Sequence, residues 1–372
     1  MPLNELIGIE KREKNDNPES QLEKLLEIGE DVVKKFGKSE LADRITYDNR
    51  FEPISKLREK IEIYCMRSIE NIEYTEKDIE SFVNGRLGVS RDTGEQVTIG
   101  TYSGIILDIL TMKNREKAKG TRIAIDGKGE EFDYLFSCAK NFDEVYVSNI
   151  KGDYICTYAG AEGYGKMIVL NDIKGDYIGK SIAALRGNVE IAVINRAEGL
   201  GTGHEIASYH GNAGLIIVNN AIGRETLMDV AVEGGSIGLA LINKAIGDYT
   251  AWCAAYDSGS IGDLVITNSK TKSEKGFDID VTRIKNILLK MNKFNFSNKT
   301  GKGMLIGNNE DMEKSFNEDY RINELSDAVK KIVKKKEIEG IIKQAGKIQS
   351  IYETIKERVE GDLAWIKEHS EI

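Results

Sequence analysis

The chain has 372 residues, of which 30% are charged and 40% hydrophobic, and its formal net charge is −9. That length holds one large domain or two to three small ones, and the composition is ordinary for a globular protein. The acidic balance argues against a protein dominated by nucleic-acid phosphate binding, and no run of about 18 apolar residues marks a membrane span.

The stretch from Met1 to Pro18 is polar and lacks the apolar core of a secretion signal, so a cytoplasmic location is expected. Cys65, Cys138, Cys156 and Cys253 show no C-x-x-C spacing and read as small buried residues in a reducing compartment. Gln21 to Phe36 places Leu22, Leu25, Leu26, Val32, Val33 and Phe36 at helical spacing, with Gly37 as a C-cap. Pro53 opens a second helix carrying Ile54, Leu57, Ile61, Tyr64 and Ile69. Thr75 followed by Asp78 fits a capping box ahead of a short helix ending at Gly85. Residues 1–92 are therefore expected to form a helical cap. Val97-Thr98-Ile99 reads as a strand in an irregular first coil, followed by a helical stretch from Gly104 to Met112.

Residues 93–268 are organised by a tandem repeat. Asn149, Asn171, Asn195, Asn219 and Asn243 each follow a short apolar run, at spacings of 22, 24, 24 and 24 residues. A glycine falls four residues later at Gly175, Gly199, Gly223 and Gly247, and another sixteen later at Gly187, Gly211, Gly235 and Gly259. Between them stand Ala183, Ala207, Ala231 and Ala255. A fixed period of this size marks a stacked-repeat architecture. Glycines interrupt any helical stripe within a unit, so each unit reads as one coil of a parallel β-solenoid. The asparagines then form a structural ladder of amides bonded from coil to coil. The glycines read as turns with φ > 0 and the alanines as a tight corner. Ile123-Ala124-Ile125-Asp126 extends the repeat backward, with Asp126 in the asparagine column and Cys138 in the alanine column. The total is six or seven coils.

The phrases Gly175-Asp176-Tyr177-Ile178-Gly179 and Gly247-Asp248-Tyr249, ahead of a glycine turn and an apolar strand, carry a resemblance. Over the solenoid alone, the chain resembles the glycine-rich β-helix domain of glutamate synthase and of a formylmethanofuran dehydrogenase subunit. The resemblance implies a right-handed parallel β-helix that serves as a structural and assembly element. It implies no activity.

Residues 269–372 read as a linker, an edge strand and a helical arm. Ser269 to Gly276 is loop-like, Val281 to Met291 reads as a helix, and Gly303 to Gly307 as one more strand. Ile338, Ile341, Ala345, Ile348, Tyr352, Ile355 and Val359 then alternate at three- and four-residue steps, and Asp362 breaks the series. Such a seam either docks along the solenoid or forms a coiled coil with a second copy or a partner.

The candidate sites are few. Gly160 to Met167 comes close to a phosphate-binding loop but lacks the final Ser or Thr, and Gly175 to Ser181 is one residue too short. His204, Glu205 and His210 share one coil and are candidates for acid–base chemistry. Asp153, Tyr154, Asp176, Tyr177, Asp248 and Tyr249 would form an acidic and aromatic stripe able to hold a ligand. Turn propensity and stacking explain the same residues equally well. The run from Lys330 to Lys336 is a basic segment that could touch RNA or a membrane surface; a solvated helical face accounts for it better. No cofactor or metal motif is complete.

The sequence thus points to a mainly β solenoid of about 24-residue coils with an N-terminal helical cap and a C-terminal helical arm. Its expected role is a cytoplasmic interaction or assembly protein. The partner would be another protein or a second copy. The alternative is an enzyme acting on a carbohydrate or other polymer through the acidic and aromatic face.

Overall fold

A computed structural model describes residues 20–47, 51–271, 284–290, 304–306, 314, 317–333 and 337–369. The polar leader, most of residues 272–316 and Lys334 to Lys336 lie outside the described residues.

The chain begins with helices α1 (Gln21–Phe36), α2 (Glu40–Tyr47), α3 (Phe51–Glu70), α4 (Glu76–Asn84) and α5 (Thr93–Glu116). Their ends follow from local chemistry. Ser20 and Glu23 close a capping box on α1, and the Thr75 N–H donates to the Asp78 carboxylate at the start of α4. Asp92 accepts the Glu95 N–H to open α5. This last helix corrects one expectation, because Val97-Thr98-Ile99 lies inside it and not in a strand. The reason is burial on nearly every side. Val97, Ile99, Tyr102, Ile105, Ile106 and Leu110 are all in the core, so no polar stripe reveals the helical period. Gly100 and Gly104 let α5 touch the first coil: a Cβ there would fall 2.5 Å from Tyr134 and 2.3 Å from the Ser137 carbonyl.

About six coils follow, and their main strands form one parallel sheet. It comprises β1 (Arg122–Asp126), β2 (Asn141–Lys151), β3 (Tyr164–Lys174), β4 (Asn188–Glu198), β5 (Asn212–Asn219), β6 (Ser236–Asn243), β8 (Ser260–Thr267), β10 (Ile284–Lys290) and β11 (Met304–Ile306). The short β7 (Ile246–Gly247) and β9 (Lys270–Thr271) pair separately. Val281 to Met291 was expected to be helical; its described part is the strand β10, whose Ile287-Leu288-Leu289 extends the columns of Leu264, Val265 and Ile266.

The register places Asp126, Ser148, Asn171, Asn195, Asn219, Asn243 and Thr267 in one column. Asn243 donates to Asn219, Asn219 to Asn195, Asn195 to Asn171, and Asn171 to the Ser148 hydroxyl. Asn149 is therefore not in the ladder. It stands one place later, with φ 53°, and donates to the Asp126 carboxylate at the exposed edge.

Gly175, Gly199 and Gly223 keep the expected φ > 0, at 152–158°, and the alanine column is left-handed with φ of 51–61°; the second glycine column needs correction. Left-handed conformations are carried mainly by other residues. Tyr177, Ser181, Ala183 and Leu185 have φ of 55–59°, and Glu205, Ala207 and Tyr209 repeat the pattern. This alternation turns successive N–H groups to opposite neighbours: Glu205 donates to Met228 in the next coil, Ala207 to Ile182 in the previous one. Gly187, Gly211, Gly235 and Gly259 are required by close approach instead. A Cβ at each would fall 1.6–2.0 Å from a carbonyl oxygen of the preceding coil. Cys138 donates its N–H to Thr157 and so stands in the column of Tyr158 and Ser181, outside the alanine column.

The strands are apolar on both faces because both are covered. Inward, Val145, Ile168, Ala192, Ile216, Ala240 and Leu264 fill the coil. Outward, Tyr146, Val169, Val193, Ile217, Leu241 and Val265 pack against α6 (Ile322–Val333) and α7 (Ile338–His369). The seam residues Ile341, Ile348, Tyr352, Ile355 and Val359 are buried there, and Ile338 packs at the margin. Gly214 and Gly238 make room for the helix, since a Cβ at either would collide with Tyr352 or Val359. Lys356 reaches Glu190 at 2.9 Å.

Candidate functional site

Coil-to-coil stacking gathers polar side chains on the turn side of the solenoid. Tyr158, Ser181, Glu205 and Asp229 succeed one another at steps of 23 and 24 residues, and each has φ of 55–58°. Beside them Thr157, Lys180 and His204 form a parallel column. The Ser181 hydroxyl donates to the Glu205 carboxylate at 2.8 Å, and Lys180 Nζ lies 3.7 Å from the same oxygen. His204 Nε2 is 3.3 Å from Asp229 Oδ2, and Nδ1 is 3.9 Å from Glu205 Oε1, neither in hydrogen-bonding geometry. Lys180, Ser181 and His204 are buried, whereas Glu205 and Asp229 reach solvent at their edges. Burial pushes the Tyr158 hydroxyl well above its ordinary range, and the Glu205 charge adds to the effect.

His204 and Glu205 thus meet at this cluster, but His210 does not join it. Its ring is exposed and lies over Gly234, where a Cβ would fall 2.4 Å from Nδ1. Lys180 and Ser181 stand out in the sequence only as the end of the short glycine loop, and Asp229 not at all, although the coil period applied to Glu205 and His204 finds all three. Chemically, the cluster is a staple between coils. The Glu205 carboxylate is engaged by Ser181 and Lys180, and the imidazole faces Asp229. Among the described residues, no group of three or more His, Cys, Asp and Glu is placed to hold a metal ion.

The acidic and aromatic columns divide in the same way. Asp133 accepts the Asp153 N–H, Asp153 the Asp176 N–H, and Asp176 the Leu200 N–H, at 2.7–2.8 Å. Tyr134, Tyr154 and Tyr177 stack with ring centres 4.8 and 5.0 Å apart. Gly201 then lies under the Tyr177 ring, where a Cβ would collide, so the stack ends there. Asp248 and Tyr249 stand three coils on from Asp176 and Tyr177, and Tyr249 packs on Trp252 instead. The glycine-rich stretch Gly160 to Met167 leads into β3, not into a helix whose N-terminus could face a phosphate. On α6, Lys330 pairs with Asp327 at 3.5 Å.

A different surface is open. Of the large hydrophobic side chains that face solvent, four gather on α3 and α5: Ile63 (71% exposed), Tyr64 (40%), Met66 (36%) and Met112 (46%). Between these helices runs a groove of about 510 Å³ that includes Met66, Ile109 and Met112 in its walls. Its floor is a satisfied network in which Arg58 bonds Asp108, Glu62 and the Cys138 carbonyl, and Asn141 bonds Asp108.

Comparison of the chain with protein-family models, curated proteins and solved structures finds no match.

Proposed function

We propose that the protein is a cytoplasmic interaction or assembly protein: a right-handed β-helix serves as a rigid scaffold, the N-terminal helices cap its first coil, and the assembly presents a docking surface to a protein partner. The observation that carries this reading is that Met66 and Met112, both exposed, face one groove between α3 and α5 together with Ile109. Contiguous exposed apolar surface of this kind marks interaction sites. The engagement of Asp153, Asp176 and Glu205 in coil-to-coil bonds weighs for a scaffold over a polymer-acting enzyme. No helix among the described residues is long and apolar enough to cross a membrane. The resemblance to glycine-rich β-helix domains agrees with an assembly role.

Oligomerisation through the α7 seam would require that helix to leave the sheet, because its apolar side chains are covered within the chain. Contact through α3 and α5 requires no such opening. Native mass spectrometry of the untagged protein, purified gently from its source, tests the reading. A stoichiometric protein partner or a defined homo-oligomer is expected. A monomer carrying a saccharide or nucleotide would overturn it.

A further inference from the structure

We infer that the groove between α3 and α5 receives an amphipathic helix of a partner protein, with apolar side chains along one face and Lys or Arg beside them; this rests on the interaction reading above. Two outward stripes line the groove. On α3, Arg58, Glu62, Met66 and Glu70 follow one another at steps of four residues. On α5, Ile109, Met112 and Glu116 follow at three and four. These spacings keep each stripe on one helix face. The two helices flank the same cleft, as the Arg58–Asp108 pair and the bonds from Lys113 to the carbonyls of Ile69, Glu70 and Ile72 fix them together. From Arg58 to Glu70 the α3 wall is about 18 Å long at 1.5 Å per residue, or about three turns of a partner helix.

The chemistry selects the occupant. Each wall carries a methionine followed four residues later by a glutamate, Met66 and Glu70 on α3, Met112 and Glu116 on α5. The basic residues of the cleft are already engaged: Arg58 by Asp108 and Glu62, Lys113 by three carbonyls, and Lys140 by Glu162. Glu70 and Glu116 make no ion pair among the described residues. The available charge is therefore negative around methionines, whose unbranched side chains adapt to different apolar partners. A helix with an acidic polar face would meet like charge.

The test uses the full-length protein and two fluorescent model helices with the same leucine face, one bearing lysine and the other glutamate on its polar face. The lysine helix is expected to bind and the glutamate helix to bind at least about tenfold more weakly. Met66→Ser with Met112→Ser, and separately Glu70→Lys with Glu116→Lys, should each weaken the lysine helix about tenfold. The charge-matched control Glu233→Lys with Glu353→Lys, away from the groove, should leave it within about twofold, which separates docking from attraction to an acidic protein. Circular dichroism confirms that each variant is folded. Equal binding by wild type and groove variants would overturn the inference. So would a homodimer that Met66→Ser with Met112→Ser dissociates, since a second copy would then occupy the groove. If native mass spectrometry finds a partner that survives both groove variants, the inference fails while the assembly reading stands.

Discussion

Replacing Asn195 with alanine isolates what the amide ladder contributes. Asn195 is fully buried, donates to Asn171 at 2.6 Å and accepts from Asn219 at 2.6 Å. Alanine deletes both bonds and leaves the Asn171 oxygen and the Asn219 amide facing a site that admits no ready substitute. Each orphaned buried group costs about 1–3 kcal/mol, so the variant should lose about 2–6 kcal/mol. Asn243 is the internal comparison. It donates to Asn219 at 2.5 Å but is half-buried, so water can reach the groups its loss uncovers, and Asn243→Ala should cost only about 1 kcal/mol. Asn149→Ala, outside the ladder, should cost about as little. Urea unfolding followed by circular dichroism gives the total, and amide hydrogen exchange in β3, β4 and β5 shows whether the loss is local, since stacked repeats need not unfold as one unit. Equal losses for Asn195→Ala and Asn243→Ala would refute the claim that the buried ladder holds the coils together.

Two further outcomes follow from burial and charge. Ile348 is fully buried beneath α7, so Ile348→Asp places an unpaired carboxylate against the outer face of the sheet. At about 3–5 kcal/mol this should release the arm, making residues 338–369 protease-sensitive while the strand signal persists; unchanged protection would refute cis docking. Asp133 is pushed from an ordinary 3.8 to about 6 by burial, with the charges of Asp153 and Glu131 adding to the effect. Its folded-state value is raised, so the folded protein binds the extra proton between these values and stability falls as pH rises from about 4 to 6. Asp133→Asn keeps an oxygen for the Asp153 N–H and removes the charge. Its melting temperature should exceed that of wild type at pH 7, with the difference gone by pH 4. A gain of the same size at both pH values would show that the charge is not responsible.

The solenoid was legible because its repeat is periodic in the chain; the cause of each column was not. Gly187, Gly211, Gly235 and Gly259 look like turn glycines in sequence, but what requires them is a carbonyl of the neighbouring coil where a Cβ would stand. That carbonyl is 27 or 28 residues away and leaves no local signal. Asn149 was misplaced by one residue because the second coil is shorter than its successors and both Ser148 and Asn149 can end a strand. The buried helix α5 was partly read as a strand for lack of a polar face. The C-terminal seam resembles a coiled coil for a geometric reason. A seam residue every three or four positions advances about 5 Å along a helix, close to the spacing of about 4.8 Å between parallel strands. A step of three or four residues can therefore match one coil: Val359 lies at Gly238 and Asp362 at Gly262, one coil on. The same sequence period serves a helix partner or a solenoid face, and sequence alone cannot choose between them.

The polar cluster follows the same rule. Along the chain, His204, Glu205 and His210 look like a group because they are close in sequence, whereas Lys180, Ser181 and Asp229 look remote. In a stacked coil the relevant distance is one period. Glu205 meets Ser181 24 residues before it, and His204 faces Asp229 25 residues after it. His210, only six residues from His204, points elsewhere because the backbone between them alternates left- and right-handed residues. Charge placement also decides what the cluster can do. Lys180 lies deepest and its charge is set against Glu205, so the cationic group is held inside the stack and the carboxylate edges face outward. In the groove of α3 and α5 the basic groups are again engaged by protein partners, but there glutamates flank open apolar surface. Only the second arrangement leaves both apolar area and charge available to another molecule. That difference in accessibility, more than residue type, is why we propose the docking surface on the helices and not on the coils.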